Sequence, residues 1–291
     1  NSAQDLHSTG TLTGTVYRNL VLDPIGPFTA QPIASVDPTK FTDTLNFLIP
    51  ADKASGNLNL VVQATVGTNV SNPESAKVSF TTVGKLNILM VRVQTSTTSA
   101  PTQEQYFSAV NRLPLIYPIP TDPAVAINYW ILPGSEVVTA NHDLTTLNGM
   151  DDFLDDLEDI QEDSADFKKL YGLVLQLFPL NRTGDSRPSD NVAFGWPLIM
   201  ESIGHELGHC YGLEHAPCGT PGNQPDDPDD EFVPPTGKIG EVGVDPAGQA
   251  AFPPTAGDFM SYCANGSDKT YEGQWISAYQ WNTLLETFKG L

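Results

Sequence analysis

Residues 205–215 read His205-Glu206-Leu207-Gly208-His209-Cys210-Tyr211-Gly212-Leu213-Glu214-His215. On a helix His205 and His209 lie one turn apart on one face, so both imidazoles reach a single ion at ~2.0–2.1 Å. A histidine one turn further along a straight helix would be carried away from that ion. Gly212 removes the difficulty, because glycine accepts the positive φ that ends a helix and turns the chain back. His215 then supplies a third nitrogen. Three protein ligands leave a position open for water, the arrangement of one catalytic Zn2+. Glu206 projects to the edge of the same site, where a carboxylate can take a proton from that water and deliver it to a leaving amine. Core histidines on a buried helix would explain neither Glu206 nor Gly212, and the chain has only 5 histidines.

Outward from this segment, the pattern from Lys85 onward alternates strand and helix. Strands are expected at Leu86–Val93, Ala124–Ile131 and Leu170–Phe178, with an edge strand at Asn191–Gly195. Thr102-Gln103-Glu104-Gln105 forms a capping box that opens a helix to about Leu113. Met150, Phe153, Leu154, Leu157 and Ile160 recur at helical spacing, which predicts a helix over 149–162. Its other face, from Asp151 to Asp163, is read as a solvated acidic face. The metal-binding helix spans about Leu198 to Tyr211. Beyond His215 the chain is loop-like, rich in Pro and Asp over Pro221–Pro235 and in Pro, Ala and Gly over Pro246–Pro254. A last helix is expected from Ser277 to Lys289. Before Gly84 the sequence is β-like: Leu12–Tyr17, Thr44–Leu48, Leu58–Val66 and Lys77–Thr82 alternate and are separated by turn residues.

The chain carries 35 acidic and 14 basic residues among 291, a formal net charge of −21. Such a balance disfavours nucleic acid and anionic membrane surfaces as partners. No run of ~20 apolar residues is present, so no membrane span is expected. Asn1-Ser2-Ala3-Gln4-Asp5 has neither the basic nor the apolar region of a signal peptide; either one has been removed or the chain begins inside a longer protein. The low basic content, with 24 prolines and 24 glycines, suits a secreted, extracellular protein. Carboxylates can also attract Ca2+. Asp226, Asp227, Asp229, Asp230 and Glu231 are candidates, although their spacing matches no EF-hand loop and a solvated loop is the favoured reading.

The pattern of residues 205–215, together with Asp258-Phe259-Met260-Ser261-Tyr262-Cys263, resembles the metzincin zinc peptidases, and within them a group of bacterial secreted proteins. The resemblance covers about Leu86–Leu291 and is specific at these two motifs. It implies that Met260 forms a methionine turn beneath the histidines. It also implies a role for Tyr262: in the astacin-like and serralysin-like branches a tyrosine two residues after that methionine ligates zinc at rest and can swing to stabilise an oxyanion. Ala216 departs from the residues that mark the best-known branches after the third histidine, which leaves the subfamily open. Cys218 and Cys263 each follow a site motif by three residues, so they approach one another if both loops wrap the metal, and a disulfide is expected there. Cys210, one position off the ligand face, reads as a small buried thiol.

The expected architecture is therefore α+β: a small all-β, sandwich-like accessory domain at 1–84, then a metzincin-type domain at 85–291 with a mixed twisted sheet and an active-site helix. The expected function is a zinc endopeptidase acting on a protein or peptide substrate. Two alternatives share the same residues: an adhesin or binding module that retains the metal site, and a metal-dependent amidase acting on a non-protein substrate.

Overall fold

A computed structural model of the chain describes residues 6–14, 20–25, 33–66, 68–120, 127–131, 137–164, 168–175, 183–196, 200–218, 227–233, 236–245, 248–262 and 274–291. The fold is mixed α and β. The chain divides into two units, Asn1–Thr82 with Val244–Ala251, and Val83–Gly243 with Phe252–Leu291.

In the first unit the strands are β1 (Leu6–Gly14), β2 (Leu20–Leu22), β3 (Pro24–Ile25), β4 (Asn46–Phe47), β5 (Asn57–Val66), β6 (Asn69–Val70) and β7 (Glu74–Ser79). β5 is the spine of a five-stranded antiparallel sheet. β1 pairs with it from Leu6↔Val66 to Gly14↔Leu58, while β6 and β7 share its other edge. This pairing sets the start of β1 at Leu6 rather than the expected Leu12, because the ladder with β5 outweighs local alternation. Leu22 and Leu58 are buried, with Phe47, Ile49, Leu60 and Phe80 packed on them.

The second unit contains β8 (Leu86–Gln94), α1 (Gln103–Val110), α2 (Leu113–Ile116), β9 (Ile127–Ile131), β10 (Val137–Thr139), α3 (Leu147–Glu162), β11 (Lys169–Val174), β12 (Gly184–Arg187), β13 (Val192–Gly195) and α4 (Met200–Cys210). After α4 the chain forms a ribbon of β14 (Gly243–Asp245) and β15 (Ala250–Phe252), whose residues Val244–Ala251 belong to the first unit, and then α5 (Ala278–Lys289) of the second. β8, β11 and β13 run parallel side by side, and β9 and β10 pair in turn along the free edge of β8. β12 closes the other edge antiparallel to β13.

The alternation of β8 places Leu86, Ile88 and Met90 in one core and Leu89, Val91 and Val93 in another. The first core also holds Tyr106 and Val110 of α1, Leu113 and Ile116 of α2, Ile203 and Leu207 of α4, and Leu284 and Phe288 of α5. The second holds Met150, Phe153, Leu154 and Leu157 of α3. A sheet buried on both faces this way is the expected environment for parallel strands. Thr102 and Gln105 form both bonds of the capping box on α1, and Ser277 caps α5 by accepting from the Gln280 N–H. The helix expected to reach Leu113 ends at Val110, and a new turn begins at Leu113 with Pro114 in its first turn, where the N–H that proline lacks has no helical partner to lose.

A further strand differs in its place within the sheet. The sequence pattern puts β13 at the sheet edge, but it lies between β11 and β12 and all four of its residues are buried. The edge is β12, Gly184-Asp185-Ser186-Arg187, whose residues carry no apolar alternation. No helix among the described residues is long and apolar enough to cross a membrane.

Candidate metal centre

Helix α4 presses Ile203 and Leu207 into the core beneath the sheet, which turns His205 and His209 the other way. Its end is a Schellman turn. The Leu213 N–H donates to the Gly208 carbonyl at 3.0 Å and the Gly212 N–H to the His209 carbonyl at 2.9 Å. Gly212 sits at φ 90, a left-handed position that a side chain would strain. The reversed chain returns His215 to the helix. Its own N–H donates to the Asp227 carbonyl at 3.1 Å, and Ala216 donates to the Met260 carbonyl at 3.0 Å.

The three imidazoles converge. Nε2 of His209 lies 3.2 Å from Nε2 of His205 and 3.0 Å from Nε2 of His215. Nitrogens bound at ~2.0–2.1 Å around a tetrahedral ion stand roughly 3.3 Å apart, so the trio fits such an ion. The opposite ring nitrogens fix the tautomers. Nδ1 of His205 faces the Phe259 carbonyl and Nδ1 of His209 the Leu213 carbonyl, each at 2.8 Å. A carbonyl only accepts, so both Nδ1 atoms carry the proton and both Nε2 atoms present lone pairs. Two lone pairs at 3.2 Å repel unless a cation lies between them. Burial, reinforced by the neighbouring imidazoles, pushes His205 well below its ordinary value and brings His209 down to about 4. Both rings are thus neutral near pH 7, as ligands must be. Three histidines able to hold a metal ion, of a kind compatible with zinc, are the one such group among the described residues.

Around them lies an open cleft of about 230 Å3. Glu206, 7% exposed, lines it beside His209 and His215, and its Oε1 lies against Gly184 of the edge strand. Gly184, Asp185 and Ser186 form the opposite rim. Tyr262 is exposed at the mouth; its ring centroid is 4.4 Å from that of His215 and 5.6 Å from that of His205. Met260 is fully buried under α4, with Sδ 3.0 Å from where a Cβ on Gly208 would stand.

The remaining sequence candidates fall elsewhere. Cys210 is a free, buried thiol whose Sγ lies 3.6 Å from the Val192 carbonyl, on the sheet side of α4. Cys218 is buried beside Gly237, which also approaches the Ser261 hydroxyl; Cys263 lies outside the described residues. Asp227, Asp229, Asp230 and Glu231 gather near Glu214 and, with burial as the first cause, raise its carboxyl above the ordinary range. They bring no three ligand atoms together, and Asp226 lies outside the described residues.

Sequence reasoning misses two contributors. The β12 rim has no apolar signature. Asp258 opens the methionine motif without a role that the motif assigns, although its side chain is wholly buried and accepts from two backbone N–H groups. An Asp two residues before the turn methionine is the available signal, since Asp commonly bonds the backbone two residues on. No protein-family model matches the chain, and no curated protein matches its sequence.

Proposed function

We propose that the chain is a secreted zinc endopeptidase of metzincin type, with zinc on His205, His209 and His215. The observation that carries this reading is the convergence of three imidazole Nε2 atoms, two of them on rings whose Nδ1 faces a backbone carbonyl, beside a buried glutamate. When bound, zinc acts as a Lewis acid on the scissile carbonyl and acidifies water. Glu206 takes the proton from the attacking water and passes it to the leaving amine, for which its place in the cleft beside His209 is suited. Edge strand β12 runs along the cleft, and a sheet edge is a surface on which an extended peptide can align as an added strand. Tyr262, at the cleft mouth beside His205 and His215, is positioned to donate its hydroxyl to the developing oxyanion.

The same reading pairs Cys218 with Cys263. Cys218 packs beside the Gly237 position that also meets Ser261, two residues before Cys263, and Cys210 is free. Such a bridge fits an extracellular address.

A peptide library incubated with the purified chain, with and without a chelator, tests the proposal. Cleavage that stops on chelation, returns with zinc and is lost in a zinc-replete Glu206→Gln variant is expected. Cleavage that survives either treatment overturns it. Zinc binding without cleavage of any peptide would leave the adhesin or the amidase as the reading.

A further inference from the structure

The methionine turn is held from several sides. The Asp258 N–H donates to the Gly237 carbonyl at 2.9 Å, and Phe259 donates to the Trp275 carbonyl at 2.9 Å. Gln274 Nε2 donates to the Ser261 carbonyl at 2.8 Å. One side chain spans the turn and the next helix. Asp258 Oδ1 accepts from the Met260 N–H at 2.8 Å, and Oδ2 accepts from the Ser277 N–H, at the cap of α5, also at 2.8 Å. Its carboxylate is fully buried. The Met260 N–H belongs to the same peptide group as the Phe259 carbonyl, which holds Nδ1 of His205 at 2.8 Å. The first turn of α5 also reaches the third ligand: Gln280 Nε2 donates to the carbonyl of Glu214, next to His215, at 3.3 Å.

We propose that Asp258 is a positioning residue for the metal centre: by tying Met260 to the cap of α5 it fixes the Phe259 carbonyl that orients His205, without touching the metal itself. Removing it leaves two buried N–H groups without their acceptor and lets the Phe259–Met260 peptide group turn. Because His205 keeps its Nε2 on the ion only while Nδ1–H is held, the consequence is a loosened first ligand. The role rests on the metal reading above, but the bonds it concerns run between protein groups alone.

The test compares the intact chain with its Asp258→Asn variant, both labelled with 15N-histidine. In the metal-free protein the His205 Nδ1–H signal should be protected, and in Asp258→Asn its solvent exchange should be at least ~10-fold faster. The zinc Kd, measured by competition with a chromophoric chelator, should weaken by ~10–100-fold, the usual cost of losing an outer partner of a metal ligand. A variant that merely melts earlier, with the His205 N–H still protected and the Kd within about twofold, overturns the proposal. Should Asp258→Asn fail to fold, amide exchange in the unmodified chain decides: Met260 and Ser277 amides exchanging as fast as surface amides would overturn it equally. Absence of zinc binding by the unmodified chain would instead defeat the metal reading, and the N–H comparison would still report on Asp258.

Discussion

Helix α3 carries seven acidic side chains between Asp151 and Glu162, whereas α4 and the turn after it carry three imidazoles. By number of potential ligands the acidic helix is far richer. Yet its carboxylates spread over an exposed face and are shared out among partners: Arg187 meets Asp151, Asp155 and Glu158, and the ring of His142 lies beside Asp152 and Asp156. The histidines are few, but backbone carbonyls aim each helical ring inward and a Schellman turn returns the third. Convergence enforced by the backbone makes the ligand set, and abundance of charge does not.

The sharpest way to break the comparison is to remove one side chain from each region. His209→Ala should reduce bound zinc from about one equivalent per chain to a trace at micromolar free metal, because only two nitrogens remain. Asp155→Asn should leave zinc content unchanged. Metal analysis by mass spectrometry reads both, and an equivalent of zinc retained in His209→Ala would show that the ion sits elsewhere.

Next in size is Tyr262. A donor aimed at a developing oxyanion contributes ~2.7–4 kcal/mol, about 10²–10³ in rate. Tyr262→Phe should therefore lower kcat by that factor with little change in KM, since the interaction belongs to the transition state. Zinc content should hold, as the three histidines are intact. A kcat within about twofold of the unmodified chain would reduce the tyrosine to packing against His215.

Much of the histidine cluster is legible in the sequence itself. Spacing alone places His205, His209 and His215 together, because the helical period and the glycine rule are local physics. The capping box at Thr102 and the apolar stripe Met150–Leu157 are legible for the same reason. What sequence leaves hidden depends on partners distant along the chain. Gly184–Arg187 becomes a strand only because Val192–Gly195 lies beside it. Asp258 takes its place through Ser277, 19 residues away. The tautomers of His205 and His209 depend on carbonyls that no periodicity reveals.

A third expectation contrasts a buried carboxylate with the exposed ones. Burial pushes the Asp258 carboxyl from an ordinary 3.8 up to about 6, against the lowering effect of its bonds from Ser277 and Met260, and nearby Glu241 adds to the rise. Between those two pH values the folded chain holds a proton that the unfolded chain has released. Stability from this group is thus fully present below about pH 4 and is lost as pH rises through about 6. A rise of this size corresponds to on the order of 3 kcal/mol. Denaturant unfolding of the metal-free chain and of Asp258→Asn at several pH values should show the difference between them changing by about that amount over this window. A pH-independent difference would mean that the two N–H donors hold the carboxylate ionised throughout.

The smallest effect is expected at Arg187, on the edge strand. Its guanidinium is raised further above an already high value, first by the hydrogen bond to Asp155. It gathers several ion pairs at once, with Asp190 as a further partner at 3.7 Å. Its partners Asp151 and Asp155 are 74% and 67% exposed, however, so solvent screens each attraction and the side chains give up freedom to meet. Exposed pairs of this kind typically contribute ~0.2–1 kcal/mol, and their sum is reduced because the carboxylates share one cation. Arg187→Ala should cost roughly 1 kcal/mol of unfolding free energy, less in high salt, with no change in zinc Kd. KM is the more sensitive readout, since Arg187 ties β12 to α3 and Gly184–Ser186 of that strand line the cleft. A modest rise in KM at constant kcat would show that the acidic helix serves the site by steadying its rim. A loss of zinc in this variant would mean that the acidic face and the histidine cluster are coupled, and the contrast between them would fail.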